Sequence, residues 1–270
     1  MATFWCDDPR DVLVVSGGDA LTYLQSQISQ DIRSLADGGT TYTFVLQPMG
    51  KVEALVRLHR RSAEEFVLDT DAGFGGALAK RLNRFKIRVN VEIEAVNWRC
   101  VSVRAADGPV DGGIPAWGRI DAFDLLGPDV EPPSGIAEGD AADLARARVD
   151  AGWPAMGREI TEATIPAETG FVVPFAVSFT KGCYPGQELV ERMDSRGSAA
   201  PRFVRRLQGT GSVEAGAELT NDGKVVGQLT TVAPVDGGWT ALGIVGRAVQ
   251  PGDTVSVDGT EVTVSELVSS

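Results

Sequence analysis

Beyond residue 200 the chain consists of short Val, Thr and Leu runs separated by Asn221-Asp222-Gly223, Asp236-Gly237-Gly238 and Asp258-Gly259. Asp-Gly and Gly-Gly pairs supply the positive φ angles that tight hairpin loops need, so these runs are strands joined to their neighbours. Their spacing predicts a small C-terminal β-barrel over residues 201–270. Ahead of it, strand and helix signals alternate. The chain therefore divides near residue 200 into an α+β region, 1–200, and the barrel, which suits 270 residues at roughly 150 per domain.

Within the first region the run 12–15 ends at Gly17-Gly18-Asp19, after which Ala20, Leu21, Leu24, Ile28 and Ile32 recur at helical spacing. This predicts a strand, a turn and a helix with Asp19 as its N-cap. The runs 41–46 and 52–58 flank Gln47-Pro48-Met49-Gly50-Lys51 and predict a hairpin. A strand at 66–68 leads through Asp71 into a helix carrying Phe74, Leu78, Leu82 and Phe85, and an alternating strand follows at Val89, Val91 and Ile93. Residues 106–140 are rich in Gly, Pro and Asp and read as loops, with room for a strand within 117–126. A helix is predicted over 140–151. In the run 52–59, period-two alternation puts Val52, Ala54, Val56 and Leu58 on an apolar face, and Glu53, Leu55, Arg57 and His59 on a wetter one. No adjacent residue completes a catalytic pair with His59, which reads as a half-exposed strand residue.

Lys plus Arg number 25 against 37 Asp plus Glu, a net charge of -12. That excludes strong sequence-independent nucleic-acid binding, which needs a basic surface to displace counterions from phosphates. No run approaches the roughly 20 apolar residues that cross a bilayer, so no membrane partner is expected. Trp5, Asp7 and Asp8 stand where a secretory signal would be basic and then apolar, and a cytoplasmic location is expected. Cys6, Cys100 and Cys183 are odd in number and scattered, which suggests neither a disulfide framework nor a metal site. With His59 as the sole histidine, a His-rich zinc site is excluded and a Ser-His-Asp hydrolase is disfavoured. Gly73-Phe74-Gly75-Gly76 lacks the spacing of a phosphate-binding loop and reads as the glycine-rich start of a helix.

One segment stands apart: Lys181-Gly182-Cys183-Tyr184-Pro185-Gly186-Gln187-Glu188. Two glycines and a proline bend the backbone around a cysteine, Lys181 is placed to favour its thiolate, and Tyr184 offers an aromatic face. On the residues alone, a reactive thiol and a structural thiol in a tight turn both remain open.

The octapeptide resembles the K-G-C-[FY]-x-G-Q-E signature of the YgfZ family, folate-binding relatives of the glycine-cleavage T-protein that take part in iron-sulfur protein maturation. The likeness extends over nearly the whole chain. It takes in Gly18-Asp19-Ala20 with Tyr23-Leu24-Gln25-Ser26-Gln27 and Asp31, the hairpin 47–51, and an R-x-x-A-G-x-P stretch from Arg148 through Gly152 to Pro154. Residues 189–192, Gly197 and Arg202 continue it. The resemblance implies a multi-lobed, T-protein-like α+β fold, with two interleaved lobes before the barrel and a central opening that admits tetrahydrofolate. It implies that Cys183 is the functional thiol, that Arg148 and Lys181 are the cations for a folate carboxylate, and that Asp31 or Glu188 meets the pterin edge, with Tyr184 and Gln187 beside them. Reduced folate and iron-sulfur assembly or client proteins are the implied partners.

Whether the chain is an enzyme is left open. The alternative is a folate-dependent aminomethyltransferase, but T-proteins carry paired aspartates where this chain has Ala54-Leu55, with only Glu53 nearby, and they lack the motif cysteine. A non-catalytic adaptor that uses folate structurally is a third reading. Three scattered cysteines do not supply the four thiolates of a resident cluster.

Overall fold

The computed structural model describes residues 1–195 and 200–267, so Gly197 lies outside the described residues. The chain opens on β1 (Phe4–Asp7) and β2 (Arg10–Ser16), which part into different sheets. After β2 come α1 (Ala20–Gln27), β3 (Thr40–Leu46), β4 (Val52–Ser62), β5 (Glu65–Asp71), α2 (Gly75–Arg84) and β6 (Glu92–Val96). These strands form an antiparallel sheet in the order β3-β4-β5-β2-β6. Leu24 and Ile28, with Leu78 and Leu82 of α2, pack on one of its faces against Ala54, Val56 and Leu58.

The next strands, β7 (Arg99–Arg104), β8 (Ile114–Pro115), β9 (Ala122–Gly127) and β10 (Ala137–Glu138), join β1 in a second sheet ordered β10-β1-β7-β9-β8. The chain then runs through α3 (Ala141–Ala151), a 3-10 stretch (Pro166–Val172), α4 (Val173–Ala176) and α5 (Gln187–Ser195). It ends in a closed barrel of β11 (Arg202–Thr210), β12 (Glu218–Asn221), β13 (Lys224–Val235), β14 (Gly238–Gly246), β15 (Thr254–Val257) and β16 (Thr260–Ser265). The α+β class and the C-terminal barrel are as expected. Asp222-Gly223 and Asp258-Gly259 turn their hairpins with φ of 49°, 73°, 48° and 81°.

Helix α3 also follows its local code. Asp140 accepts from the amides of Ala142 and Asp143, Asp143 returns the bond to the Asp140 amide, and Gly152 closes the helix at φ 62°.

Elsewhere tertiary partners override local signals. Helix α1 stops at Gln27 instead of reaching Ile32, because Ile28 turns extended and bridges to Val45. Asp19 occupies the N-cap position as expected, but its side chain makes no bond to the helix: its Oδ2 accepts from the Asn90 amide at 2.7 Å. Asp71 closes β5, so α2 begins later, at Gly75, and the strand expected at 89–93 forms at Glu92–Val96. The amides of Gly73 and Gly75 donate to Asp11 Oδ2 at 2.9 and 2.7 Å, so this helix start already holds a carboxylate of its own chain.

The largest departure is the wetter face of β4, which is buried. Leu55 sits in an apolar cluster with Tyr42, Trp153, Met156 and Tyr184, and Arg57 is 1% exposed between Asp69 and Asp124. Glu53 and His59, towards the two ends of that face, are half-buried, and His59 Nδ1 lies 2.9 Å from Thr40 Oγ1.

Candidate functional site

The motif loop runs from α4 to α5 and is clamped at both ends. On its first side Lys181 is buried, and its Nζ donates to the carbonyls of Gln25, Ile28 and Gln30 at 2.7, 2.5 and 2.9 Å. These oxygens lie at and just past the end of α1, where unpaired carbonyls attract a cation. Burial pushes the Lys181 ammonium down to about 8, with Asp31 pulling the other way.

On its second side the loop meets the β3–β4 turn backbone to backbone. Gly186 has φ 85°, and a Cβ there would lie 2.6 Å from the Gln47 carbonyl oxygen and 3.0 Å from Gly50 Cα. Gly50 has φ 83°, and a Cβ on it would lie 2.5 Å from Leu189 Cβ on α5. Both positions need glycine on two counts, left-handed backbone and lack of room.

Between the clamps Cys183 is exposed and Tyr184 is buried. The Tyr184 ring lies 5.2 Å from Lys181 Nζ, and burial together with Glu191 pushes its hydroxyl up to about 12. Gln187 Oε1 accepts from the Tyr184 amide at 3.4 Å while its Nε2 donates to Glu191. Glu188 is exposed on the first turn of α5. Asp31 is paired with its neighbour Arg33, whose side-chain bonds hold the carboxyl down near 2. Cys6 and Cys100 are both buried: burial and then Asp8 push the Cys6 thiol up to about 12, and burial raises Cys100 well above its usual range.

The Lys181 geometry differs from expectation. Its three N–H groups are committed to backbone carbonyls, which explains its burial and leaves neither the thiol nor a ligand carboxylate as its partner. The motif lysine fastens the loop to α1.

Arg148 stands in a different constellation. Its guanidinium, on α3, lies 3.3 Å from Asp71 and 5.0 Å from the Trp117 ring centroid, and its Nη1 is buried without a partner. From Asp71 an ionic chain runs through the interior. Asp71 binds Arg10 at 2.6 Å, Arg10 binds Asp69 at 2.9 Å, and Asp69 binds Arg57 at 2.8 Å. Arg57 binds Asp124 at 2.5 Å and Asp124 binds Arg104 at 2.8 Å. Arg104 then returns to Trp117, 3.8 Å from its ring centroid, and its Nε is also buried and unpartnered.

Trp117 itself has φ 55°, costly for a bulky side chain at about 1–3 kcal/mol, and its amide donates to the Tyr42 hydroxyl at 2.7 Å. Beside it a cavity of about 380 Å³ is lined by Arg104, Trp117, Arg119, Asp121, Ala147 and Asp150, among others. Among the described residues no hydrogen bond or ion pair joins Arg148 to the motif loop. The structure thus groups Lys181, Cys183, Tyr184, Gln187 and Glu188, with Asp31 near Lys181, and sets Arg148 apart from them. No three His, Cys, Asp or Glu side chains among the described residues are placed to hold a metal ion, and no helix is long and apolar enough to cross a membrane.

No family model matches the chain. It is similar to the mitochondrial iron-sulfur cluster assembly factor IBA57 homolog of Pyricularia oryzae, 29% identical over 72% of this chain and 54% of that protein. It is also similar to the tRNA-modifying protein YgfZ of Klebsiella pneumoniae, 25% identical over 78% of this chain and 74% of that protein. The chain spans about half the length of the fungal IBA57 homologues it matches. The fold is that of the glycine cleavage system aminomethyltransferase T from Bartonella henselae, with TM-score 0.76 and 19% identity over 99% of this chain and 87% of that one.

Proposed function

We propose that this chain, a member of the family of YgfZ and IBA57, binds a reduced folate and serves iron-sulfur protein maturation through Cys183. The carrying observation is the contrast among its thiols: two are buried in the second sheet, and the third stands exposed on a loop fastened at both ends. A thiol held that way is available as a nucleophile or as a soft-metal ligand. One thiolate is a quarter of a cluster's usual ligand set, so a cluster is cargo for this chain, shared with thiolates of a partner.

The residues present also fit a folate. Arg104 lines the cavity, and Arg148, outside its lining, meets the same Trp117 ring; a carboxylate or a pterin carbonyl would complete the buried, unpartnered N–H groups of these two arginines. Asp121 and Asp150 on the cavity wall, paired with Arg119 and Arg206, are carboxylates whose remaining lone pairs suit a pterin's N–H edge. A bound tetrahydrofolate would supply a one-carbon carrier. The protein's own part is to orient it, and all of these groups come from region 1–200, with the barrel at 201–270 packed against α3.

Two measurements test the two halves. Calorimetric titration with tetrahydrofolate and its formyl derivative should show binding that Arg148→Met weakens roughly tenfold; absence of heat and of any melting shift with either compound removes the folate half. Cys183→Ala should fold normally and fail to restore iron-sulfur enzyme activity in a deletion strain; full rescue removes the thiol half. The T-protein fold favours a second reading, aminomethyl transfer, with Glu53 on β4 as the nearby carboxylate. Methylene transfer to tetrahydrofolate in the presence of glycine-cleavage partners would establish it.

A further inference from the structure

The cations of this chain are unevenly placed. Between Asp71 and Glu92 there is no acidic residue, while Lys80, Arg81, Arg84, Lys86 and Arg88 crowd the end of α2 and the turn after it, on a chain of net charge -12. Lys80 and Arg84 stand one turn apart on the exposed side of α2, and Arg88 is exposed as well. Among the described residues none of Lys80, Arg84, Lys86 and Arg88 is in an ion pair. Two large apolar side chains lie between these cations, Phe85 at 37% exposure and Ile87 at 70%.

The surface is held in shape from below. Arg81 is buried, donates to the Leu46 carbonyl through Nε and Nη2 at 3.3 and 3.2 Å, and lies 4.1 Å from the Phe85 ring centroid. The amides of Phe85, Lys86 and Ile87 donate to the carbonyls of Leu82, Asn83 and Phe85, and the amides of Asn90 and Asp19 tie the far end down. The neighbouring acids are largely engaged elsewhere. Asp11 takes the amides of Gly73 and Gly75, Asp19 that of Asn90, and Asp71 the guanidinium groups of Arg10 and Arg148. Glu53 acts on Arg81, and Glu92 and Glu94 stand exposed on β6.

An extended polyanion suits this patch poorly. Nucleic acid is charged at every phosphate and an anionic bilayer over a whole plane, so either would also lie against the acidic remainder of the chain. A short acidic polypeptide segment carries its charge only where the patch is. Its apolar side chains would cover Ile87 and Phe85, which phosphate groups leave bare.

We propose that residues 80–88 are the docking surface for an acidic polypeptide segment, rich in Asp or Glu and carrying an aliphatic or aromatic anchor that covers Ile87 and Phe85. The inference goes beyond the folate and thiol readings and depends on neither.

The test uses the full chain and a fluorescein-labelled peptide of about twelve residues, Leu and Phe anchors between glutamate pairs, with a lysine twin. The glutamate peptide should bind, the lysine peptide should not, and binding should weaken as salt rises to about 0.5 M. Lys80→Glu and Arg84→Glu should each weaken binding roughly threefold to tenfold, and Ile87→Ser, which changes no charge, roughly fivefold. Arg192→Glu makes the same charge change on α5, at another exposed site, and should leave binding unchanged. Lys80→Gln combined with Arg84→Gln removes two charges from an exposed helix face without adding new ones; it should weaken the glutamate peptide, and it keeps the test valid where a glutamate variant fails to fold.

Equal loss in Arg192→Glu would mean that net charge alone governs binding, and would overturn the proposal. Binding of both peptides alike would do the same. So would tighter binding of an RNA of about twelve nucleotides, or of phosphatidylglycerol vesicles, than of the glutamate peptide.

Discussion

Cys183 owes its standing to what surrounds the other two thiols. Burial raises Cys6 to about 12 and Cys100 well above its usual range, which disfavours the thiolate of both at neutral pH, and both are buried in the second sheet. Iodoacetamide at pH 7.5 should therefore modify Cys183 first, with Cys6 and Cys100 reacting only on unfolding; mass spectrometry of the tryptic peptides reads the order. Early modification of Cys6 would show that β1 frays and that exposure alone does not set the order. This selectivity was half legible in the sequence. The glycines around Cys183 announce a turn, and turns are exposed, whereas the use of Lys181 was illegible because its carbonyl partners lie 151 to 156 residues away. Nothing local says that an ammonium two residues from a thiol will face elsewhere.

At the scale of elements, the motif loop, the end of α1 and the β3–β4 turn act as one assembly. Lys181→Met would leave the three carbonyls of Gln25, Ile28 and Gln30 without their N–H donors, at a cost of about 2–4 kcal/mol after partial rehydration. Gly186→Ala would set a Cβ against the Gln47 carbonyl at positive φ, for about 2–3 kcal/mol. Both should lower the urea midpoint, and in both the amides of the segment 177–186 should lose hydrogen-exchange protection before the rest of the protein. Loss spread evenly over all elements would mean that the loop is not separately held. Hairpins and the helix at 140–151 could be read in advance because their signals, positive-φ pairs and the helical spacing of Ala141, Leu144, Ala145 and Val149, act over a few residues. The early end of α1 could not, because a strand bridge 17 residues on decides it.

At the scale of the molecule, the ionic chain ties the first sheet (Arg10, Arg57, Asp69, Asp71) to the second (Arg104, Asp124) and to α3 (Arg148). Arg148 apart, no local signal marks its members as buried; only the fold, pairing Arg57 with Asp124 across 67 residues, makes a buried network of them. Opposing burial, the arginines beside them hold the Asp71 and Asp124 carboxyls below the usual range. A carboxyl lowered on folding adds stability that is fully present above its unfolded value near 3.9 and is lost as pH falls towards the folded value. Urea midpoints should thus fall steeply below about pH 4, with both sheets unfolding in one transition, because each holds charges that the other neutralises. Asp124→Asn leaves Arg57 and Arg104 short of a buried counter-charge and should cost about 3–5 kcal/mol at pH 7. With one titrating carboxylate gone, its acid decline should be shallower than that of the wild type. Circular dichroism and tryptophan fluorescence followed together across pH read both effects: Trp117 and Trp153 report the junction between the lobes, and a fluorescence change that precedes the loss of strand signal would mean that the lobes part before they unfold.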